Sequence, residues 1–312
     1  MRVPRLSPGA FRTLTLVNVV LLVAIIVSGA AVRLTNSGLG CADWPKCSPA
    51  QFVDVASSHH AAIEQLNRIF SGLIGVPIGV ALVASYRRMP RRKDLTNLAW
   101  IMFGLFWGEA ILGGISVKVK LAWVSVMGHF LLAIALVAVA LLMYRRAGEP
   151  DGRRVPIVSG RLQAFAYGLY AWTIWVLVAG TLVTAAGPHG GDREARRLDW
   201  PIGDAARVHG LSVDILVGGT LCFVVLLIRS RVPQRVLVAC SATLAAMIAQ
   251  GVLGYVQYAR AIPPLLVGFH VFGAVVVFGT MQWLLLELRT VEPADVQSPV
   301  LTSRPIAAAH LQ

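Results

Sequence analysis

Eight apolar runs, each near the roughly 20 residues needed to cross a bilayer core, recur along this chain, and they constrain its fold more than any other feature. They lie at 11–34, 61–86, 96–116, 122–144, 163–186, 204–228, 234–257 and 262–288. Hydrophobic residues make up 56% of the 312 and charged residues only 14%, where soluble domains average about 25% charged. A chain with this pattern has to satisfy its backbone polar groups within each segment, so the expected class is all-α and membrane-embedded. The first run follows a basic N-terminus and ends in Ser28-Gly29-Ala30-Ala31, which invites a signal-peptide reading. It is longer than a signal core and seven more runs follow, so it is read as helix 1.

The net charge of +13 first suggests a nucleic-acid partner, but its distribution does not. Of the 28 Lys and Arg, 18 fall before helix 1 or in the connections after helices 2, 4, 6 and 8, including Arg87–Lys93 and Arg145–Arg161. Eight fall on the other side, beside Asp43, Asp54, Asp192, Glu194 and Asp199. Basic loops mark the cytoplasmic face. Both termini are therefore expected in the cytoplasm of a cell-membrane protein, with no nucleic-acid footprint.

An internal repeat divides the chain. Asp43-Trp44-Pro45 recurs as Asp199-Trp200-Pro201, and the helix-3 stretch Glu109–Gly114 is echoed by Gln250–Tyr255 in helix 7. At the same offset of 141, His129 in helix 4 falls on His270 in helix 8, and Asn67 in helix 2 falls on His209 in helix 6 at 142. Four helices per half is an even number, so the halves insert with the same orientation, as parallel repeats do. The expected organisation is an N-terminal tail 1–10, a four-helix half 11–146, a basic linker 147–162, a second half 163–290 and a solvated tail 291–312, that is, two parallel-repeat four-helix bundles.

His129, His209 and His270 all lie five to eight residues into helices that enter from the outside, roughly 8–12 Å below that surface at the helical rise. Equal depth on neighbouring helices suits axial haem ligation. A proton relay or simple packing is the other reading, and zinc has too few ligands here. His209 and His270 form an aligned pair, whereas Asn67 faces His129, and an amide is a poor iron ligand. Glu64 sits one turn before Asn67. A carboxylate in a membrane helix is costly and marks a functional candidate, with an ion pair to Arg68 as the alternative. His59, His60, His189 and His310 read as loop, helix-start or tail residues. Cys222 and Cys240 read as small core residues. Cys41 and Cys47 lie on the oxidising face, where a bridge or two free thiols are both open. Two unlike sites at one depth fit an enzyme better than an electron wire.

The helix-1 exit VRLTNSGLGCADWPKC (32–47), the segment IEQLNR (63–68) and the three aligned histidines together resemble the haem A synthase family. The resemblance covers residues 11–290. It implies eight helices in two four-helix halves and an oxidoreductase that converts haem O to haem A by oxidising a porphyrin methyl group to a formyl group in successive hydroxylations, for cytochrome oxidase assembly. By position it implies a haem b cofactor held by His209 and His270, the substrate haem O on His129, and Glu64 as the important helix-2 carboxylate. It also implies a Cys41–Cys47 disulfide, with a haem O synthase (a protohaem farnesyltransferase) as the expected partner. Arg68 and Arg207 are candidate propionate partners. The family's E-x-x-H-R reads here Glu64-Gln65-Leu66-Asn67-Arg68, so the first site departs from a bis-histidine pattern. A di-haem b electron-transfer cytochrome and a non-catalytic haem carrier are the alternatives, and a homo-oligomer is compatible with all three.

Overall fold

The computed structural model describes residues 5–49 and 51–293. Eight helices carry the fold: α1 (Pro8–Leu34), α2 (His59–Arg87), α3 (Lys93–Lys118), α4 (Trp123–Ala147), α5 (Gly160–Ala186), α6 (Ile202–Arg229), α7 (Gln234–Ala259) and α8 (Pro264–Glu287). Their ends fall within three residues of the apolar runs, and all eight are long and apolar enough to span a membrane. Serine side chains cap three of them: Ser7 accepts from Ala10 N, Ser58 from Ala61 N and Ser159 from Leu162 N, which satisfies amides the first turn leaves unpaired. Along α2 the stripe Leu73, Val76, Val80 and Val83 is exposed, as a lipid-facing surface requires.

Neighbour relations divide the helices into two rings. In the first, α1 packs on α2 and α4 while α3 packs on α2 and α4; in the second, α5 packs on α6 and α8 while α7 packs on α6 and α8. The rings meet where α1 and α4 touch α8 and α4 touches α5. A buried amide fastens this seam: Gln282 on α8 donates to the Ala138 carbonyl on α4 at 2.7 Å and accepts from Tyr170 on α5 at 3.3 Å.

At the basic end, charge holds the connections. Arg92, 2% exposed, pairs with Asp94 at 2.7 Å and donates to the carbonyls of Arg146, Glu149 and Pro150. Arg145 bridges Glu149 and Glu287, so the ends of α4 and α8 share one ionic cluster. The linker holds a strand, β1 (Gly152–Pro156), paired antiparallel with β2 (Arg289–Pro293). The expected tail beginning at 291 therefore starts inside a strand, and its residues 294–312 lie outside the described residues, as do residues 1–4.

Candidate functional site

In the second ring, α6 and α8 stand on opposite corners and present His209 and His270 to each other. The imidazole centroids are 6.3 Å apart and the ring planes 73° from parallel. Both Nδ1 atoms are buried without a hydrogen-bond partner. Each ring lies against a glycine on an intervening helix: a Cβ on Gly180 of α5 would stand 3.2 Å from His209 Cε1, and one on Gly254 of α7 would stand 3.2 Å from His270 Cε1. Gln250, one turn before Gly254, donates to the His270 carbonyl at 2.7 Å.

The first ring repeats the frame with different chemistry. His129 on α4 lies against Gly113 of α3 at the same 3.2 Å, and Gly113 precedes Gly254 by the repeat offset. Glu109 stands where the second ring has Gln250. Its Oε2 is 2.7 Å from His129 Nδ1, a close contact without hydrogen-bond geometry, and its Oε1 and that Nδ1 are both buried without a hydrogen-bond partner. On the opposite corner, Asn67 Oδ1 accepts from Ser28 Oγ at 2.8 Å. Ser28 and Gly180 each lie six residues before the end of their helix. Where the second ring pairs a histidine with a glycine, the first therefore pairs an amide with a hydroxyl, and the two are bonded to each other.

Glu64, 5% exposed, is turned toward the outer loop. Its Oε2 accepts the Cys41 amide at 2.8 Å, and its Oε1 meets Arg68 Nη2 at 2.6 Å. Arg68 also donates to the Asp43 and Lys46 carbonyls, so its fork is spent on the loop. Arg207 lies at the surface, 85% exposed, 3.3 Å from Asp204. His60 Nδ1 meets Ser37 Oγ at 2.9 Å, and His189 Nε2 meets the Ile262 carbonyl at 2.8 Å; neither joins the central rings. His310 is outside the described residues.

Cys41 and Cys47 form a disulfide, and both are buried beneath the loop. The loop sets the Trp44 indole flat against Gly114 of α3, within 2.7 Å of where a Cβ would be, one residue from the Gly113–His129 contact. The disulfide thus shapes the outer mouth of the first ring. Both thiols are expected to resist alkylation until a reductant is added, and labelling without reductant would show the bridge absent. Closing so short a loop adds about 2 kcal/mol by chain entropy, so reduction should loosen the mouth without unfolding the chain.

Glu109, Ser28 and the glycine contacts are the site features that residue patterns alone did not single out. Glu109 carried a signal, since an acid at a membrane depth is itself a flag, but its partner is visible only in the packing. Among the described residues no three His, Cys, Asp or Glu side chains gather as a metal cluster. The donors stand instead as one facing pair and one single imidazole beside a carboxylate. That set suits a metal that brings its own equatorial ligands.

Comparison with known proteins agrees. The chain is 27% identical over 164 residues to a heme A synthase of an Exiguobacterium species, covering 52% of this chain and 54% of that protein. It is 24% identical over 163 residues to the heme A synthase of Geobacillus thermodenitrificans, 51% of each. It is 26% identical over 184 residues to that of Exiguobacterium sibiricum, 57% of this chain and 59% of the relative. The alignments thus span about half the length of these curated relatives. The model of the COX15-CtaA family, described as cytochrome oxidase assembly protein, matches residues 12–188, a stretch that includes Glu64, Asn67, Glu109 and His129 and ends before His209 and His270. With more than half of its length matched by that model, the chain belongs to the COX15-CtaA family, whose named members include the heme A synthases.

Proposed function

We propose that this protein is a haem A synthase, an oxidoreductase that converts haem O to haem A by oxidising one porphyrin methyl group to a formyl group through successive hydroxylations. The observation that carries the reading is the pair of unlike sites on one repeated frame. In the second half (163–290), His209 and His270 would hold a haem b cofactor. With ring centroids 6.3 Å apart, the two imidazoles would leave room between them for one metal atom. The unpartnered Nδ1 atoms and the glycine cradles fit a ring-shaped group sliding between α6 and α8. In the first half (11–146), His129 would be the only protein ligand of the substrate iron, with the face toward Asn67 left open.

Haem b, when bound, supplies electron transfer. The chain's own residues position and shield the reacting groups. Glu109 sets its carboxylate 2.7 Å from His129 Nδ1, a carboxylate–histidine contact of the kind that orients a metal ligand. Glu64 and Arg68 keep the disulfide loop closed over the mouth, which limits water at the oxidised position. An apolar pocket of about 240 Å³ between the rings, lined by Val23, Val137, Leu141, Val275, Val276 and Gly279, suits the hydrocarbon tail of haem O. The protein would sit in the cell membrane with both termini cytoplasmic and the haem sites toward the outside, receiving substrate from a haem O synthase and supplying cytochrome oxidase assembly.

The test is the extracted pigment. Protein purified after co-expression with a haem O supplier is expected to contain haem b together with haem A or its hydroxylated precursor, resolved by haem chromatography. Haem b alone at two per chain would indicate an electron-transfer cytochrome instead, and unmodified haem O would indicate a carrier.

A further inference from the structure

Arg33, the penultimate residue of α1, belongs by sequence to the first half but reaches the outer end of the second. Its Nη1 donates to the His189 carbonyl at 3.1 Å, and among the described residues no carboxylate pairs with it. Three acids of this face pair with other cations, Glu64 with Arg68, Glu194 with Lys120 and Asp204 with Arg207. The guanidinium lines a pocket of about 60 Å³ together with His189, Gln257, Tyr258, Ile202 and Val267. A site needs only about 10–15 Å³ per water-sized group, so this space takes a small polar substituent.

The pocket lies just outside the histidine pair. Ile202 opens α6 seven residues before His209, about 10 Å along the helix, and Val267 is three residues before His270, about 4.5 Å. A planar group held between His209 and His270 would direct its outer edge at this pocket. A guanidinium with free fork donors, set in mostly apolar walls, is chemistry for a carboxylate.

We propose that Arg33 binds an acidic substituent, a propionate, of the porphyrin held by His209 and His270, an inference that rests on the haem reading above. The first half then completes the second half's site, and the loop around His189 is held by the same side chain.

The experiment compares haem b with its dimethyl ester, in which both carboxylates are blocked. Full-length protein made under haem limitation is titrated with each, and the low-spin absorbance of the bis-histidine site is read. The wild type is expected to prefer haem b by about 10- to 100-fold, the range of one charge-assisted hydrogen bond. Arg33→Gln should lose that preference and Arg33→Lys should keep most of it. Equal binding of the two pigments by the wild type, which needs no variant and so no question of folding, would overturn the proposal. So would an unchanged preference in Arg33→Gln. A free anion occupying the pocket would instead make binding of both pigments depend equally on added phosphate, which also counts against it. His209→Ala separates the two readings: if it still gives the low-spin signal, the haem assignment has failed, whereas loss of the signal there with no ester discrimination faults Arg33 alone.

Discussion

Replacing His209 or His270 with alanine is expected to abolish the low-spin haem b spectrum of the purified protein. Among the described residues, His209 and His270 are the only histidines on α5–α8. The 6.3 Å centroid separation admits one iron between them, so a single replacement leaves at best a five-coordinate, high-spin site. The lost ring also vacates the space against Gly180 or Gly254, which free imidazole can enter. Added imidazole should therefore restore part of the low-spin signal in the alanine variants and change nothing in the wild type. A low-spin spectrum that persists in both variants would sink the assignment.

The second large effect concerns the first bundle. Substrate-loaded protein is expected to show a high-spin iron on His129 beside the low-spin cofactor, and His129→Ala should lose substrate occupancy. Asn67→His alone should leave the site high-spin. The reason is Ser28, whose hydroxyl fills the place that Gly180 leaves open for His209 and is bonded to Asn67 at 2.8 Å. The pair Ser28→Gly with Asn67→His copies the second ring and should convert the first site to bis-histidine and low-spin, read by EPR or resonance Raman. Closing the open face in this way should also suppress haem A formation. A bis-histidine signal at the first site of the unaltered protein would mean that another histidine has moved in and that His129 is not the sole ligand. A single Asn67→His variant that turns fully low-spin would show that Ser28 does not guard the position.

Much of this was legible in the residues. The eight spans are set by hydropathy over windows of about 20 residues, a local property, so the helices emerged within three residues of their apolar runs. Sidedness is expected from where Arg and Lys fall, and the depth of His129, His209 and His270 from counting residues from the helix ends. The pair Cys41 and Cys47 was marked by its place on the oxidising face, and the bond between them by the packing. The β1–β2 pairing across the linker was not legible, because its partners are 133 or more residues apart and neither strand alternates clearly.

What the linear chain left undetermined is which way each helix is turned and which helix it meets. A membrane helix is apolar on its lipid face and on most of its protein face, so its rotation leaves little trace in hydropathy. Rotation and neighbours decide that Glu109 on α3 meets His129 on α4, that Ser28 on α1 meets Asn67 on α2, and that Arg68 is turned to Glu64 and the loop carbonyls. They decide as well that Arg33 crosses from the first ring to the mouth of the second. The sequence by itself determined the number and extent of the helices, because these depend on each segment's own transfer from water to lipid. Only the tertiary structure decided the partners of the buried polar side chains. In a low-dielectric interior those groups are satisfied by whichever neighbour packing brings within about 3 Å, and packing is a property of several segments at once.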